Sequence, residues 1–242
     1  MNRKLFALAR DNSGAGTGIR SEVADGSDTT TIYVYDVIDG FWGVSASDFA
    51  RELHAVTTPK VVLRINSPGG DVFEGRAMMT AIADHPATFT ARIDGLAASA
   101  ATALTLACDS IEIAEGGFYM IHQAWTFVMG NADDLNATAQ LLGKIDDVLV
   151  EGYAERTSKG EDEIRAWMKA ETWFNAQEAI DAGFVDSVIE VTAKKSKAQA
   201  RAFNLSAFTN APKALTEKEP EIDEAPRLRA LARLGLYERT AA

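Results

Sequence analysis

What most narrows the folds open to this chain is an alternation of strand-like and helix-like segments, repeated three times with short connections between residues 31 and 108. Residues 31–38 alternate in polarity and are rich in β-branched side chains, the pattern of a half-buried strand. Ser45 with Asp48 three residues on resembles a capping box, and Phe49, Leu53 and Val56 then mark one helix face. Residues 60–66 form the next strand and 71–84 the next helix, closed by His85-Pro86. Residues 87–93 read as a third strand, and 95–108 as an Ala- and Leu-rich run suited to a buried helix. The alternation predicts an α/β fold, a mostly parallel sheet with right-handed crossovers covered by helices. Residues 110–114 and 118–122 add two short strands, 131–159 one helix long enough to project from the body, 161–170 and 177–182 short helices, and 184–191 a closing strand.

Three regions follow. Residues 1–30 contain Gly-, Ser-, Asp- and Thr-rich stretches and read as a flexible N-terminal segment; residues 31–192 are the folded body; residues 193–242 are a basic extension. At 242 residues and 47% hydrophobic, the chain is long enough for one full core plus extensions. The extension carries a net charge of +4 against −15 for the remainder. It reads either as a solvated tail or as a docking segment for an acidic surface, on a partner or on the body itself, with residues 225–237 forming a short basic amphipathic helix. The net charge of −11 argues against nucleic-acid binding by the body. A lone cysteine, Cys108, gives neither a disulfide framework nor a Cys-based metal site. The apolar run at Leu5–Ala9 is too short for a signal-peptide core, and no stretch reaches the length of a membrane span, so a cytoplasmic protein is expected.

Three sites of possible chemistry stand out. Ser99 is the polar residue where a Gly turn enters the apolar run 95–108, a place where a hydroxyl projects beside unpaired helix N–H groups. A small Ser among alanines equally serves close helix packing. Gly69-Gly70 directly follows a strand, so backbone N–H groups there can face a bound carbonyl without a Cβ in the way; an ordinary Pro-Gly turn has the same residues. Of three histidines, His122 ends a strand, where side chains face the crevice of open α/β folds. A structural histidine fits that place as well.

Taken together, four blocks resemble the ClpP serine peptidase family: Ile65-Asn66-Ser67-Pro68-Gly69-Gly70, Gly95-Leu96-Ala97-Ala98-Ser99-Ala100, Met120-Ile121-His122-Gln123, and residues 176–186. The resemblance covers residues 31–190. It implies the ClpP/crotonase-like fold of repeated ββα units with a projecting helix. It also implies Ser99 as nucleophile, His122 as general base, and the N–H groups of Gly70 and Ala100 as oxyanion hole. Where the family has Asp, this chain has Glu171, which can orient an imidazole in the same way. An extended substrate is expected to pair beside Gly70, contacting Gly69, Asp71 and Ala124. The family's glycine-rich segment after the histidine is replaced here by residues 124–130. No metal or organic cofactor is called for, and activity is expected to fall as the pH drops through the titration of His122 between 8 and 5.

Residues 171–174, Glu-Thr-Trp-Phe, with the long extension, resemble the ClpP-type head-maturation proteases of tailed bacteriophages. That resemblance implies an ATP-independent endopeptidase acting on capsid or scaffolding proteins, assembled in rings of seven, single or stacked. The alternatives on the same fold are a non-catalytic assembly protein and a crotonase-group acyl-CoA enzyme.

Overall fold

The computed structural model describes residues 3–14, 18–190 and 203–216. Five parallel strands carry the sheet: β2 (Thr29–Tyr35), β3 (Lys60–Ser67), β4 (Thr88–Ala98), β5 (Ser110–Ala114) and β8 (Ser187–Ile189), neighbours in that order. β1 (Gly18–Val23) adds an antiparallel edge on β2. Two short strands, β6 (Phe118–Ile121) and β7 (Thr172–Asn175), branch from the far end of β4: β6 runs parallel to Leu96–Ala98, and β7 lies antiparallel to β6. This is the α/β architecture expected from the alternation.

Strand alternation sorts the side chains. Ile32, Val34, Leu63, Ile65, Ala91, Ile93, Ile111 and Ile113 are buried in one core with Phe49 of α2 (Ala46–His54), Met78 and Ile82 of α3 (Val72–Ala83), and Ala101 and Leu104 of α4 (Ala100–Leu106). The opposite face of β2, β3 and β4 carries polar groups, among them Arg64, which donates two 2.7 Å hydrogen bonds to Asp94. α2 and α3 start on side-chain caps, where Ser45 accepts from the Asp48 N–H, and Asp71 from the N–H groups of Phe73 and Glu74; α4 has none. The long helix α5 (Ala132–Thr157) begins with a capping box at Asn131 and buries only Val150, Tyr153 and Thr157 near its C-terminus. Its first four turns therefore stand away from the core. Below it, α6 (Glu161–Lys169) and α7 (Ala176–Asp181) complete the body.

Three sequence expectations are corrected. Residues 1–30 are not a loose segment throughout, since α1 (Arg3–Asn12) forms and β1 pairs with β2 over six residues. The exposed edge of β2 supplies the hydrogen bonds that a Gly- and Ser-rich sequence does not advertise, and Arg20 lies over the ring of Tyr33 at 3.9 Å. The run 95–108 is not one helix: β4 continues to Ala98, because pairing with β6 overrides the helix propensity of Leu and Ala. Residues 203–216, read as part of a basic extension, pack on the body by apolar contacts: Phe203, Leu205 and Phe208 are buried with Leu8, Leu96, Ala98 and Met120, and the last four residues form the turn α8 (Lys213–Thr216). The helix expected over 225–237 lies outside the described residues. Among the described residues, no helix is long and apolar enough to cross a membrane.

The tightest point of the fold is the crossing of the β3 end with the β4–α4 turn. A Cβ on Gly69 would sit 2.4 Å from the Ala98 carbonyl oxygen and 2.7 Å from the Ser99 Cβ. Gly116 has the same φ, +82°, but open space around it. Gly116→Ala is therefore expected to cost only the left-handed backbone term, about 1 kcal/mol. Gly69→Ala should cost clearly more, since part of the backbone must shift. Equal losses in paired denaturant titrations would contradict this account of the crossing.

Candidate active site

Three strand ends converge at that crossing. Ser99 joins β4 to α4 with φ 53° and ψ −127°, a strained conformation for a residue with a side chain. Its N–H donates to the Met120 carbonyl at 3.0 Å, and its carbonyl accepts from the Thr102 N–H at 2.9 Å and the Thr102 hydroxyl at 2.6 Å. Strand and helix thus pin the backbone on both sides of a sharp turn, and the hydroxyl is pushed outward. The flanking Ala97, Ala98, Ala100 and Ala101 are buried, as so tight a turn requires. His122 follows β6, and its Nε2 lies 2.8 Å from the Ser99 Oγ.

Beside this pair are two backbone donors. Ala100 is the first residue of α4, where an N–H has no intrahelical acceptor. Gly70, at φ 148°, belongs to a bridge with Ile38 that uses the Gly69 carbonyl and the Asp71 N–H, so its own N–H stands outside the bridge. A Cβ on Gly70 would come within 2.0 Å of the Ile38 carbonyl oxygen. Gly70, Ser99, Ala100 and His122 all border one cavity of about 240 Å³. Its apolar wall comes from α4 and α5, chiefly Ala103, Leu142, Ile145, Leu149 and Tyr153.

Of the three residues expected to contact substrate, Asp71 borders the cavity, with its carboxylate capping α3. Ala124 also borders it, but its N–H donates to the Asp146 carboxylate on α5 at 2.7 Å. Gly69 has both backbone groups engaged, its N–H with the Ser67 hydroxyl and its carbonyl with the Ile38 N–H. Its part in the site is thus close approach to Ser99.

Glu171 is where the arrangement departs from a closed triad. It sits just past α6 at φ 50°, a left-handed position where glycine is the easy choice. Its carboxylate makes no hydrogen bond to His122. It accepts instead from the backbone N–H groups of Thr209 (2.9 Å) and Asn210 (2.6 Å) and from the Trp173 indole (3.3 Å). Phe208 stands edge-on to both His122 and Trp173, with ring centroids 5.5 and 5.6 Å apart. Burial disfavours the imidazolium and pushes His122 down to about 4, although the nearby Glu171 charge pulls the other way. Phe208, Trp173 and the N–H groups at 209 and 210 were missed by sequence reasoning. The spacing Phe203, Leu205, Phe208 inside a basic stretch is the one signal that marks an apolar docking segment.

Burial pushes the Cys108 thiol up to about 12, so it stays protonated. Among the described residues, no group of three or more His, Cys, Asp or Glu side chains is placed to hold a metal ion.

The family model described as Clp protease matches residues 44–192. The chain is 32% identical over 170 residues to ATP-dependent Clp protease proteolytic subunit 1 of Protochlamydia amoebophila, covering 67% of this chain and 81% of that one. It is 33% identical over 149 residues to the subunit of the same name from Leifsonia xyli, covering 61% and 72%. Among solved structures, a ClpP1 mutant from Listeria monocytogenes superposes with a TM-score of 0.59 at 23% identity, over 67% of this chain and 92% of that one. The matched segment contains the β3 end, the Ser99 turn, the end of β6 and the Glu171 position, and on that match the chain belongs to the Clp protease family of serine peptidases.

Proposed function

We propose that this protein hydrolyses peptide bonds by acyl transfer, with Ser99 as nucleophile and His122 as general base. The observation that carries the reading is the 2.8 Å contact between the Ser99 Oγ and the His122 Nε2, on a strained turn beside two backbone N–H groups. His122 takes the hydroxyl proton as the Ser99 Oγ attacks the carbonyl carbon. The oxyanion that forms accepts from the N–H groups of Gly70 and Ala100, which need no reorganisation. The imidazolium then gives its proton to the departing amine, and water, activated by the same ring, hydrolyses the acyl-enzyme. Glu171 lies close enough for its charge to favour the imidazolium, although its oxygens accept from the Thr209 and Asn210 N–H groups. The apolar wall of the cavity suits an apolar side chain of the substrate next to the scissile bond.

The finer reading is an ATP-independent phage head-maturation protease, in rings of seven, acting on capsid or scaffolding proteins within an infected cell. It is supported by Glu171-Thr172-Trp173-Phe174 and by the extension beyond residue 192. Incubation of the purified protein with phage capsid and scaffolding proteins, without nucleotide, tests this. Cleavage that requires ATP and an added unfoldase would replace it with a housekeeping role.

Two outcomes test the chemistry. A fluorophosphonate probe should add one adduct per chain, absent in Ser99→Ala, and peptide hydrolysis by that variant should fall roughly 10⁴–10⁶-fold. An adduct that survives Ser99→Ala would assign the nucleophile elsewhere. The second outcome concerns pH. An unperturbed imidazole would lose its basic form between pH 8 and 5, but burial of His122 keeps the ring neutral down to about 4. The labelling rate in the full-length chain should therefore hold nearly level from pH 8 to 5 and fall below that. An acid limb centred near 6.5 would mean that the ring is solvated.

A further inference from the structure

Residues 203–216 come back to the site from outside the ClpP-like body and dock on the sheet face opposite the main core. Phe203, Leu205 and Phe208 cover Leu96, Ala98 and Met120 there, with Leu8 of α1 completing the layer. Asn12, 1% exposed, latches the segment to α1: its side chain donates to the Asn204 carbonyl at 3.0 Å and accepts from the Asn204 N–H at 2.6 Å. The middle of the segment reaches Glu171 directly. Thr209 and Asn210 give their N–H groups to its two carboxylate oxygens, and the Asn210 side chain donates to the Ala170 carbonyl at 2.8 Å. Between the latch and this contact, Phe208 lies against the His122 ring.

Each contact affects catalysis in the same direction. A carboxylate held by two backbone donors from the segment makes no hydrogen bond to His122, so the imidazolium of the transition state lacks its partner. The Phe208 ring removes water from the same imidazole, which also disfavours the charged form. Yet the Ser99 to His122 contact is already made, so only the carboxylate and the solvent access are withheld.

We propose that residues 203–216, latched to α1 through Asn12, are a displaceable restraint on this site: docked, they hold Glu171 off His122, and released, they let that carboxylate accept a hydrogen bond from the His122 Nδ1–H. The proposal rests on the hydrolase reading given above. The restraint is intramolecular and needs no bound effector; release requires a surface that competes for the Phe203, Leu205 and Phe208 side chains.

The test uses the full-length chain. Phe208→Asp places a charge in the apolar layer and should undock the segment; Phe203→Asp with Leu205→Asp does the same by a second route if the first leaves it docked. Two readouts are followed, the fluorophosphonate labelling rate of Ser99 and the NMR titration of the His122 ring. Undocking should raise the labelling rate at pH 7 at least tenfold and move the ring titration upward from near 4. Adding Glu171→Gln to Phe208→Asp should remove most of the gained rate, which a merely exposed serine would retain. A ring titration that moves upward while labelling stays level or slows would overturn the restraint, since the segment would then be neutral or would complete the site. A gained rate that survives Glu171→Gln would overturn the role given to that carboxylate. No Ser99 adduct in the parent or in any undocked variant would instead bring down the hydrolase reading beneath it.

Discussion

The site depends on one close approach, that of the backbone at Gly69 to the turn between β4 and α4. With no Cβ at Gly69, the end of β3 lies against the Ala98 carbonyl, and Ser99 is held at positive φ with its hydroxyl directed into the cavity. That backbone conformation is costly for serine, of order 1–3 kcal/mol, and persists because its surroundings over-determine it. Met120 fixes it from the strand side and Thr102 from the helix side. Thr102 is itself completely buried, and since its hydroxyl hydrogen goes to the Ser99 carbonyl, the Tyr153 hydroxyl must donate to it. One turn on, Thr105 repeats the arrangement, donating to the Thr102 carbonyl and accepting from Tyr119. A polar ladder thus ties the strained turn to α5 and β6. Every buried hydroxyl in it is satisfied, which gives a rigid mount in an otherwise apolar layer.

Much of this was legible in the sequence, for reasons that can be assigned residue by residue. The alternation at 31–93 survives because those strands are buried on the core face, so their side chains must repeat every second residue. The cap at Ser45 is local, and local chemistry is what a sequence displays. Gly69-Gly70, Ser99 and His122 were legible only jointly, since a Pro-Gly turn, a small serine and a strand-end histidine are each commonplace. What could not be read is long-range. The end of β4 is Leu-Ala-Ala, which prefers helix, and becomes strand only because β6 lies beside it. β1 and β7 likewise exist through their partners, β2 and β6.

Glu171 shows the same limit at the level of function. Its position in the chain marks it as the carboxylate that should face His122, and its left-handed backbone argues that glutamate is kept there for its side chain rather than its conformation. No reading of residues 160–180 could reveal that this side chain is occupied by the backbone of residues nearly forty positions later. The extension was legible in charge, and charge was the misleading part. Among its described residues, the apolar part of its contact with the body is made by three side chains spaced two and three apart, a pattern too short to register as strand or helix.

Electrostatics and burial at His122 are linked through the same contact. An isolated neighbouring carboxylate would hold the imidazole protonated well above its ordinary value; here desolvation outweighs Glu171 and the ring stays neutral. Neutrality favours the ground state of a general base and disfavours the ion pair that must follow proton transfer. On the proposed mechanism, a docked segment leaves the Ser99 and His122 pair assembled yet slow. Because His122 comes one residue after β6 and β7 begins one residue after Glu171, the two groups flank an antiparallel ladder that starts at Ile121 and Thr172. On the proposed restraint, the carboxylate that would close the triad is thus carried next to a strand whose spacing from β6 the sheet has already set.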